Sequence, residues 1–389
     1  SGSATAAGII ALEEGQTAEG MYLSESRLQV LLSTAWWGAF GEQFTTSDGW
    51  LDEQVSLLNY DLTDVENPAL TNTMTVEGAL IASRRAGDEI FVVSRHAPNI
   101  EGLVSYPQTE DEVANNEALL AETSESDILP EVRIDGEIIG PLTLDSCYRV
   151  DPEHPLAEPV PSDSTLTTFL AISAETGEVL RAACTFEPVS GIYMGSSFIA
   201  LTHVRWDLEQ RGTLVHLMAR DSFDYLGSEL IDGDLYSGGN ADFRISESGG
   251  VLRLVTTEWT GDPEDAFTHR LFTLSPSDTA PELDVLGVLG DDPQARIGKP
   301  NEDLYGVRFM GNRAYMVTFE RIDPLYVIDL SDPSQPSIVG ELEVPGFSDL
   351  LHEVSDDLLL GLGSIDRFFP NLELYNVSDL TSPLSLGLV

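Results

Sequence analysis

Tyr326-Val327-Ile328-Asp329-Leu330-Ser331-Asp332-Pro333 is a short alternating strand that runs into an Asp/Ser/Pro turn, and the chain repeats it. Tyr375-Asn376-Val377-Ser378-Asp379-Leu380, then Pro383, is a second copy, and Asn59-Tyr60-Asp61-Leu62-Thr63-Asp64, then Pro68, is a third. Phe272-Thr273-Leu274-Ser275-Pro276-Ser277-Asp278 and Leu170-Ala171-Ile172-Ser173-Ala174-Glu175 are looser copies. Side chains alternate across a strand, so apolar residues at every second position mark a buried face. Asp and Ser end the strand by bonding their own backbone, and Pro cannot extend a ladder. A second short strand follows the turn, as from Ile338 to Val344.

Upstream of each copy lies another strand pair. The clearest runs from Tyr305 to Met310, turns at Gly311-Asn312-Arg313 and returns from Ala314 to Phe319. Leu80 to Ser94 turns about Gly87-Asp88, Phe243 to Thr257 about Gly249-Gly250, and Leu350 to Leu362 about Asp356-Asp357. Tyr22 to Leu32 and Tyr193 to Leu201 fit more weakly. Two hairpins give four strands per unit, the strand count of a propeller blade. The expected fold is therefore all-β: a β-propeller of four-stranded antiparallel blades, forming a single domain over 1–389. Six units are readable, roughly 20–77, 78–188, 189–238, 239–300, 301–346 and 347–389, in a ring of six to eight blades. An insertion at about 98–164 sits in the second unit, and its acidic stretch Glu110 to Glu122 reads as a short helix, a surface decoration or a lid. Gly8 to Leu12 reads as one more strand, which either completes the ring with the last blade or belongs to a further blade.

Hydrophobic residues make up 42% of the chain, enough for a sizeable core. Its 389 residues carry 19 Lys+Arg against 66 Asp+Glu, a net charge of −47, and Lys299 is the only lysine. That sign excludes nonspecific nucleic-acid binding, which depends on cations displacing phosphate counterions, and disfavours anionic membranes. The sequence holds no apolar run long enough to insert in a bilayer. So acidic a surface repels itself until salt or divalent cations screen it, which suits a halophilic or marine setting and a calcium-containing one. Cys147 and Cys184 lie 37 positions apart beside β-like segments. In an exported chain they would form one disulfide; the alternative is two buried thiols. No signal peptide is seen, and Ser1-Gly2-Ser3-Ala4 reads as a processed or engineered start.

Arg308-Phe309-Met310-Gly311-Asn312-Arg313-Ala314-Tyr315-Met316-Val317-Thr318-Phe319, with Asp323-Pro324-Leu325, the 327–333 repeat and Pro345-Gly346-Phe347-Ser348, resembles a known family. These are secreted bacterial and archaeal proteins with a C-terminal β-propeller domain distantly related to WD40 repeats. The likeness is strong over about 301–363, recognisable near 58–94 and thin elsewhere. Members usually carry an N-terminal Val-Glu-Gly-Val-Asp-Glu-Ala-Asp pattern that this chain lacks, as it lacks their sequence beyond its end. It therefore reads as a fragment or an unusually short relative. The resemblance implies a propeller, export and a secreted or cell-surface location, with no reaction or catalytic residue to carry over.

Alignment of the units on their first hairpin turns places Arg84, Arg244, Arg308 and His352 at one position, with Tyr22 and Gly191 in the two weaker units. In a propeller the first strand lines the channel. These residues could form a ring that holds a carboxylate or phosphate ligand, or each could pair with an Asp of a neighbouring blade. Cation candidates are the turn pairs Asp61/Asp64, Asp329/Asp332 and Asn376/Asp379, and the denser sets Asp232, Asp234, Asn240, Asp242 and Asp262, Glu264, Asp265. They read as calcium ligands or as solvated turns, because no complete calcium loop is present.

His96, His154, His203, His216, His269 and His352 are too scattered for a transition-metal motif. Ser364 lacks the flanking pattern of a nucleophile elbow. Gly361-Leu362-Gly363 reads as close packing on a strand. Trp36, Trp37, Phe40, Phe44 and Trp50, with Gly38, Gly41 and Gly49, read as blade packing or a sugar platform. The first functional expectation is an exported, noncatalytic surface module that binds a protein or cell-surface partner or assembles with itself, with Ca²⁺ as a stabilising cofactor. The alternative is a hydrolase or lyase holding an anionic substrate in the channel.

Overall fold

The computed structural model describes residues 7–12, 16–24, 26–33, 53–104, 107–151, 153–157, 165–206, 211–235, 243–279, 281–319, 323–344, 347–365 and 369–388. The chain forms two compact units, Ser1–Ser190 and Gly191–Val389.

In the first unit β1 (Thr17–Ser24), β2 (Arg27–Ser33), β3 (Gln54–Asp61) and β4 (Ala69–Glu77) pair in chain order, each antiparallel to the next. They make blade 1. β5 (Ala79–Ala86) and β6 (Glu89–His96) open blade 2. The insertion follows with α1 (Glu110–Glu122), α2 (Glu125–Ile128), β7 (Val132–Ile134), β8 (Glu137–Ile138) and β9 (Cys147–Tyr148). β10 (Leu166–Ser173) and β11 (Val179–Thr185) complete blade 2.

The acidic stretch is a helix because its start is capped on both sides. The Thr109 hydroxyl accepts from Glu112 N–H, and the Glu112 carboxylate accepts from Thr109 N–H. Glu110, Asp111 and Glu112 also suit the positive end of the helix dipole. The insertion reaches further than one unit: β7 pairs antiparallel with β4 and so extends blade 1. β9 pairs parallel with β11 on blade 2, where Cys147 and Cys184 face each other and are joined in a disulfide. Leu129, Val132 and Leu142 of the insertion enter the core shared by blades 1 and 2. Gly8 to Leu12 form no strand. Ile10 instead lies against Val30, Leu32 and Tyr60 of blade 1.

The described residues of the second unit form four blades. Blade 3 is β12 (Gly191–Met194), β13 (Phe198–Arg205), β14 (Gly212–Ala219) and β15 (Tyr225–Ile231). Blade 4 is β16 (Ile245–Ser248), β17 (Val251–Trp259), β18 (Phe267–Pro276) and β19 (Leu283–Leu289). Blade 5 is β20 (Asp303–Met310), β21 (Arg313–Phe319), β22 (Asp323–Asp329) and β23 (Ser337–Val344). Blade 6 is β24 (Phe347–Ser355), β25 (Leu358–Ile365), β26 (Phe369–Asn376) and β27 (Leu384–Leu388).

Strand alternation distributes the core. On blade 5, Ala314, Met316, Tyr326 and Ile328 pack with blade 4, while Tyr315, Val317, Leu325 and Val327 pack with blade 6. Each fully buried Val, Leu, Ile or Met among them contributes about 1.5–3 kcal/mol.

The repeated sequence motif has a repeated bond. Leu62, Ala174, Leu330 and Val377, each just past a third strand, donate their N–H to Ser26, Asp88, Asn312 and Asp357 carbonyls in the first hairpin turn, at 2.6–2.9 Å. The turn carboxylates and amide act locally. Asp329 Oδ1 accepts from Ser331 N–H, Asp332 Oδ1 from Ser334 N–H, and Asn376 Oδ1 from Ser378 N–H. Asp61, Asp64 and Asp379 do the same, so turn geometry accounts for these pairs.

Candidate functional site

The first hairpin turn gives a ruler for the proposed ring. Counting rungs outward, Arg84 lies opposite Phe91, Arg308 opposite Tyr315 and His352 opposite Leu360, each on the third rung. Tyr22 lies on the third rung of blade 1, opposite Gln29. Arg244 does not share that place. The third rung of blade 4 is Ser246 opposite Arg253, and Arg244 sits two rungs further out, accepting from Val255 N–H. In blade 3 the third rung is Tyr193 opposite Ala200, so Gly191 is also out of register.

Arg244 is fully buried and belongs to the contact between blades 4 and 5. Its Nη1 donates to Thr257 Oγ1 at 3.0 Å and its Nη2 to Leu304 O at 3.0 Å. Thr257 Oγ1 is also 3.0 Å from His269 Nδ1, and His269 Nε2 is 2.8 Å from Glu302 O. A carbonyl only accepts, so Nε2 carries the proton, and Nδ1 accepts from the Thr257 hydroxyl. Burial pushes His269 down to about 4, which keeps the ring neutral beside a guanidinium. Burial lowers Arg244 to about 10 against the pull of Asp303 and Asp234, so it stays charged at neutral pH. Glu302 continues the network, accepting from Thr318 Oγ1 at 2.6 Å and Lys299 N–H at 2.8 Å.

Arg308 lies between blades on the other side. Its Nη2 is 3.8 Å from Glu353 of blade 6, and its guanidinium carbon is 5.9 Å from the centre of the Phe243 ring. The ion pair is partly exposed and contributes about 0–1 kcal/mol. His352 and Arg84 are exposed.

Sequence reasoning missed the residues at the hairpin tips. Arg253 Nη1 on blade 4 donates to Gly311 O in the turn of blade 5 at 2.6 Å. Arg313 Nη1 on blade 5 donates to Asp356 O in the turn of blade 6 at 3.1 Å. On blade 4, Glu247 accepts from the Ser196 hydroxyl and from Ser197 and Phe198 N–H in the turn of blade 3. Each of these side chains starts within three residues of its own hairpin turn, and that proximity is the signal that could have found them.

Of the acidic sets, Asp265 places both oxygens on Arg296 at 2.8 Å, and Asp262 Oδ1 accepts from Glu264 N–H. Asp234 pairs through its backbone with Thr257, and the Asp232 carbonyl accepts from the Thr256 hydroxyl. Asp242 and Asn240 lie outside the described residues, as do Trp36, Trp37, Phe40, Phe44 and Trp50 with Gly38, Gly41 and Gly49. Among the described residues, no group of three or more His, Cys, Asp or Glu side chains converges as a metal site requires. Ser364 lies inside β25, opposite Pro370. Gly361 has Ser348 Oγ and the Tyr375 ring where a Cβ would stand, so close packing explains it. No helix among the described residues is long and apolar enough to cross a membrane.

A family model described as Beta propeller domain matches residues 1–388. An uncharacterized protein of Methanocaldococcus jannaschii is 36% identical over 163 residues, 42% of this chain and 24% of that protein. Another uncharacterized protein, from Archaeoglobus fulgidus, is 39% identical over 145 residues, 36% of this chain and 20% of that protein. The matched segments thus span a quarter or less of these relatives. Among solved structures, the Pyrococcus horikoshii acylaminoacyl peptidase is 10% identical with a TM-score of 0.37, covering 96% of this chain and 52% of that one. The β-propeller domain of the trilobed protease from Pyrococcus furiosus is 11% identical with a TM-score of 0.34, covering 96% of this chain and 98% of that one.

Proposed function

The chain belongs to the Beta propeller domain family, and on that premise we propose that it is an exported, noncatalytic propeller that serves as a binding or assembly module at the cell surface. The observation that carries the reading is where the scarce cations go. Arg244, Arg253, Arg308 and Arg313 each reach from one blade of the second unit to the next. Side chains engaged in this way hold a scaffold together and offer little to a substrate. The disulfide supports export, since such bonds persist in oxidising compartments. Calcium enters the proposal as a counter-ion that relieves the self-repulsion of a chain carrying −47.

The test is Arg308→Ala, measured by melting temperature and by calorimetry with citrate and inorganic phosphate. The proposal expects a lower melting temperature in the variant and no anion binding by either protein. Anion binding by the parent that disappears in a variant of unchanged melting temperature would overturn it in favour of a substrate-holding ring.

A further inference from the structure

Asn376-Val377-Ser378 is the one Asn-x-Ser/Thr tripeptide in a chain with eleven asparagines. This pattern, with any residue but proline in the middle, is the acceptor for N-linked oligosaccharide when it lies on an exposed surface turn. Three residues alone are a weak signal, so the turn that holds them carries the argument.

Asn376 ends β26, the third strand of blade 6, and opens its Asp/Ser/Pro turn. Its Oδ1 accepts from Ser378 N–H at 3.0 Å and from the Ser378 hydroxyl at 2.7 Å. A backbone N–H only donates, so the amide oxygen must face the turn, and Nδ2 is the arm that the turn does not use. The equivalent places in blades 1 and 5 hold Asp61 and Asp329. They accept from Thr63 N–H at 2.7 Å and from Ser331 N–H at 2.9 Å. A carboxylate therefore serves this turn as well as an amide does. Only the amide offers a nitrogen that can carry a sugar, and blade 6 supplies it with a hydroxyl two residues on.

Asn376 is half-buried and Ser378 exposed. This exposure is set by the blade before the turn. Leu380 O and Pro383 stand where a Cβ on Gly340 of blade 5 would be. The same turn of blade 5 packs on blade 4, with Pro333 O and Pro336 against Gly287, and Thr273 Oγ1 donates to Pro333 O at 2.6 Å. Blade 5 has blade 6 beside it, yet its Asp329 is half-buried and its Ser331 exposed, as Asn376 and Ser378 are. A following blade thus leaves this position of the turn open.

We propose that Asn376 is an N-glycosylation site and carries an oligosaccharide on the exported chain. This rests on the export reading above. The donor is an oligosaccharide linked to a polyprenyl phosphate or diphosphate, and a membrane transferase brings donor and acceptor together. Asn376 Nδ2 bonds to the anomeric carbon, and the carbon–oxygen bond to phosphate breaks with its electron pair leaving on the lipid phosphate. One Nδ2 proton passes to a base of the transferase, and nothing is oxidised or reduced. The product keeps Oδ1 and with it both bonds of the turn. The glycan emerges beside the first hairpin tip of blade 6, where the Asp357 carbonyl accepts from Val377 N–H at 2.9 Å.

The experiment is mass spectrometry of the chain purified from the envelope or medium of its own organism. Trypsin cuts after Arg367, and the peptide that follows contains Asn376. That peptide should exceed its sequence mass by an oligosaccharide, with fragments that place the addition on Asn376. Three variants expressed in the same organism separate the acceptor from the turn. Asn376→Asp, which copies Asp329, should be exported and folded without the addition. Ser378→Ala should lose the addition as well, and Ser378→Thr should keep it. An unmodified peptide from the exported parent overturns the proposal and leaves the export reading standing. An addition that persists in Asn376→Asp also overturns it. A chain found only inside the cell, with the peptide unmodified, overturns the export reading together with the site.

Discussion

Thr257 couples a cation to a neutral ring through one hydroxyl, accepting from Arg244 and donating to His269. It is fully buried, so Thr257→Val leaves two polar groups short of a partner. The expected loss is about 1–3 kcal/mol in denaturant unfolding; a neutral substitution would contradict the assigned bonds. His269 gives this network a pH dependence. Its value is about 4 in the folded chain and 6.5 when unperturbed. As the pH falls below 6.5 the unfolded chain takes up a proton that the folded chain refuses until about 4. The contribution is thus present above that window and lost on descending through it. His269→Gln removes the titration, so between pH 7 and 5 it should lose about 2 kcal/mol less stability than the parent. His96, also lowered to about 4 by burial, adds a like term in both proteins and cancels in the comparison.

At the scale of the element, the hairpin tip is the recurring unit. In blades 1, 2, 5 and 6 it receives the N–H from the end of the third strand of its own blade, and in blades 3, 5 and 6 a side chain from a neighbouring blade. Arg313→Met keeps the aliphatic stem and removes the donor, so a loss of about 1–2 kcal/mol is expected from the bond to Asp356 O. The blades were legible in the sequence because alternation and the Asp/Ser/Pro turns are local signals. The register of Arg244 was not, because aligning by residue type cannot count rungs, and Gly249-Gly250 sits two rungs further from Arg244 than Gly311 does from Arg308. The reach of the insertion was equally hidden, since β7 joins blade 1 through backbone bonds that leave no mark in composition. The Cys147–Cys184 bond closes a loop of 37 residues, which loop entropy values at about 4 kcal/mol. Alkylation of the denatured, unreduced chain should add nothing, and addition of two groups would contradict the pairing.

For the whole molecule, charge dominates. With 66 acidic side chains against 19 basic ones, stability should rise with salt as repulsion is screened. Chelation of calcium by EDTA at constant ionic strength should lower the melting temperature, and an unchanged value would remove calcium from the account. This expectation rests on composition alone, because net charge acts at a distance. The fate of individual arginines needed the fold, since a cation between blades and a cation in a channel look alike in sequence. The most direct measurement is therefore a high-resolution crystal structure grown in calcium-containing saline with added citrate. The account predicts Arg308 on Glu353, Arg244 on Thr257 and the Leu304 carbonyl, and no anion on either guanidinium. Citrate held by Arg308, with Glu353 displaced, would contradict it.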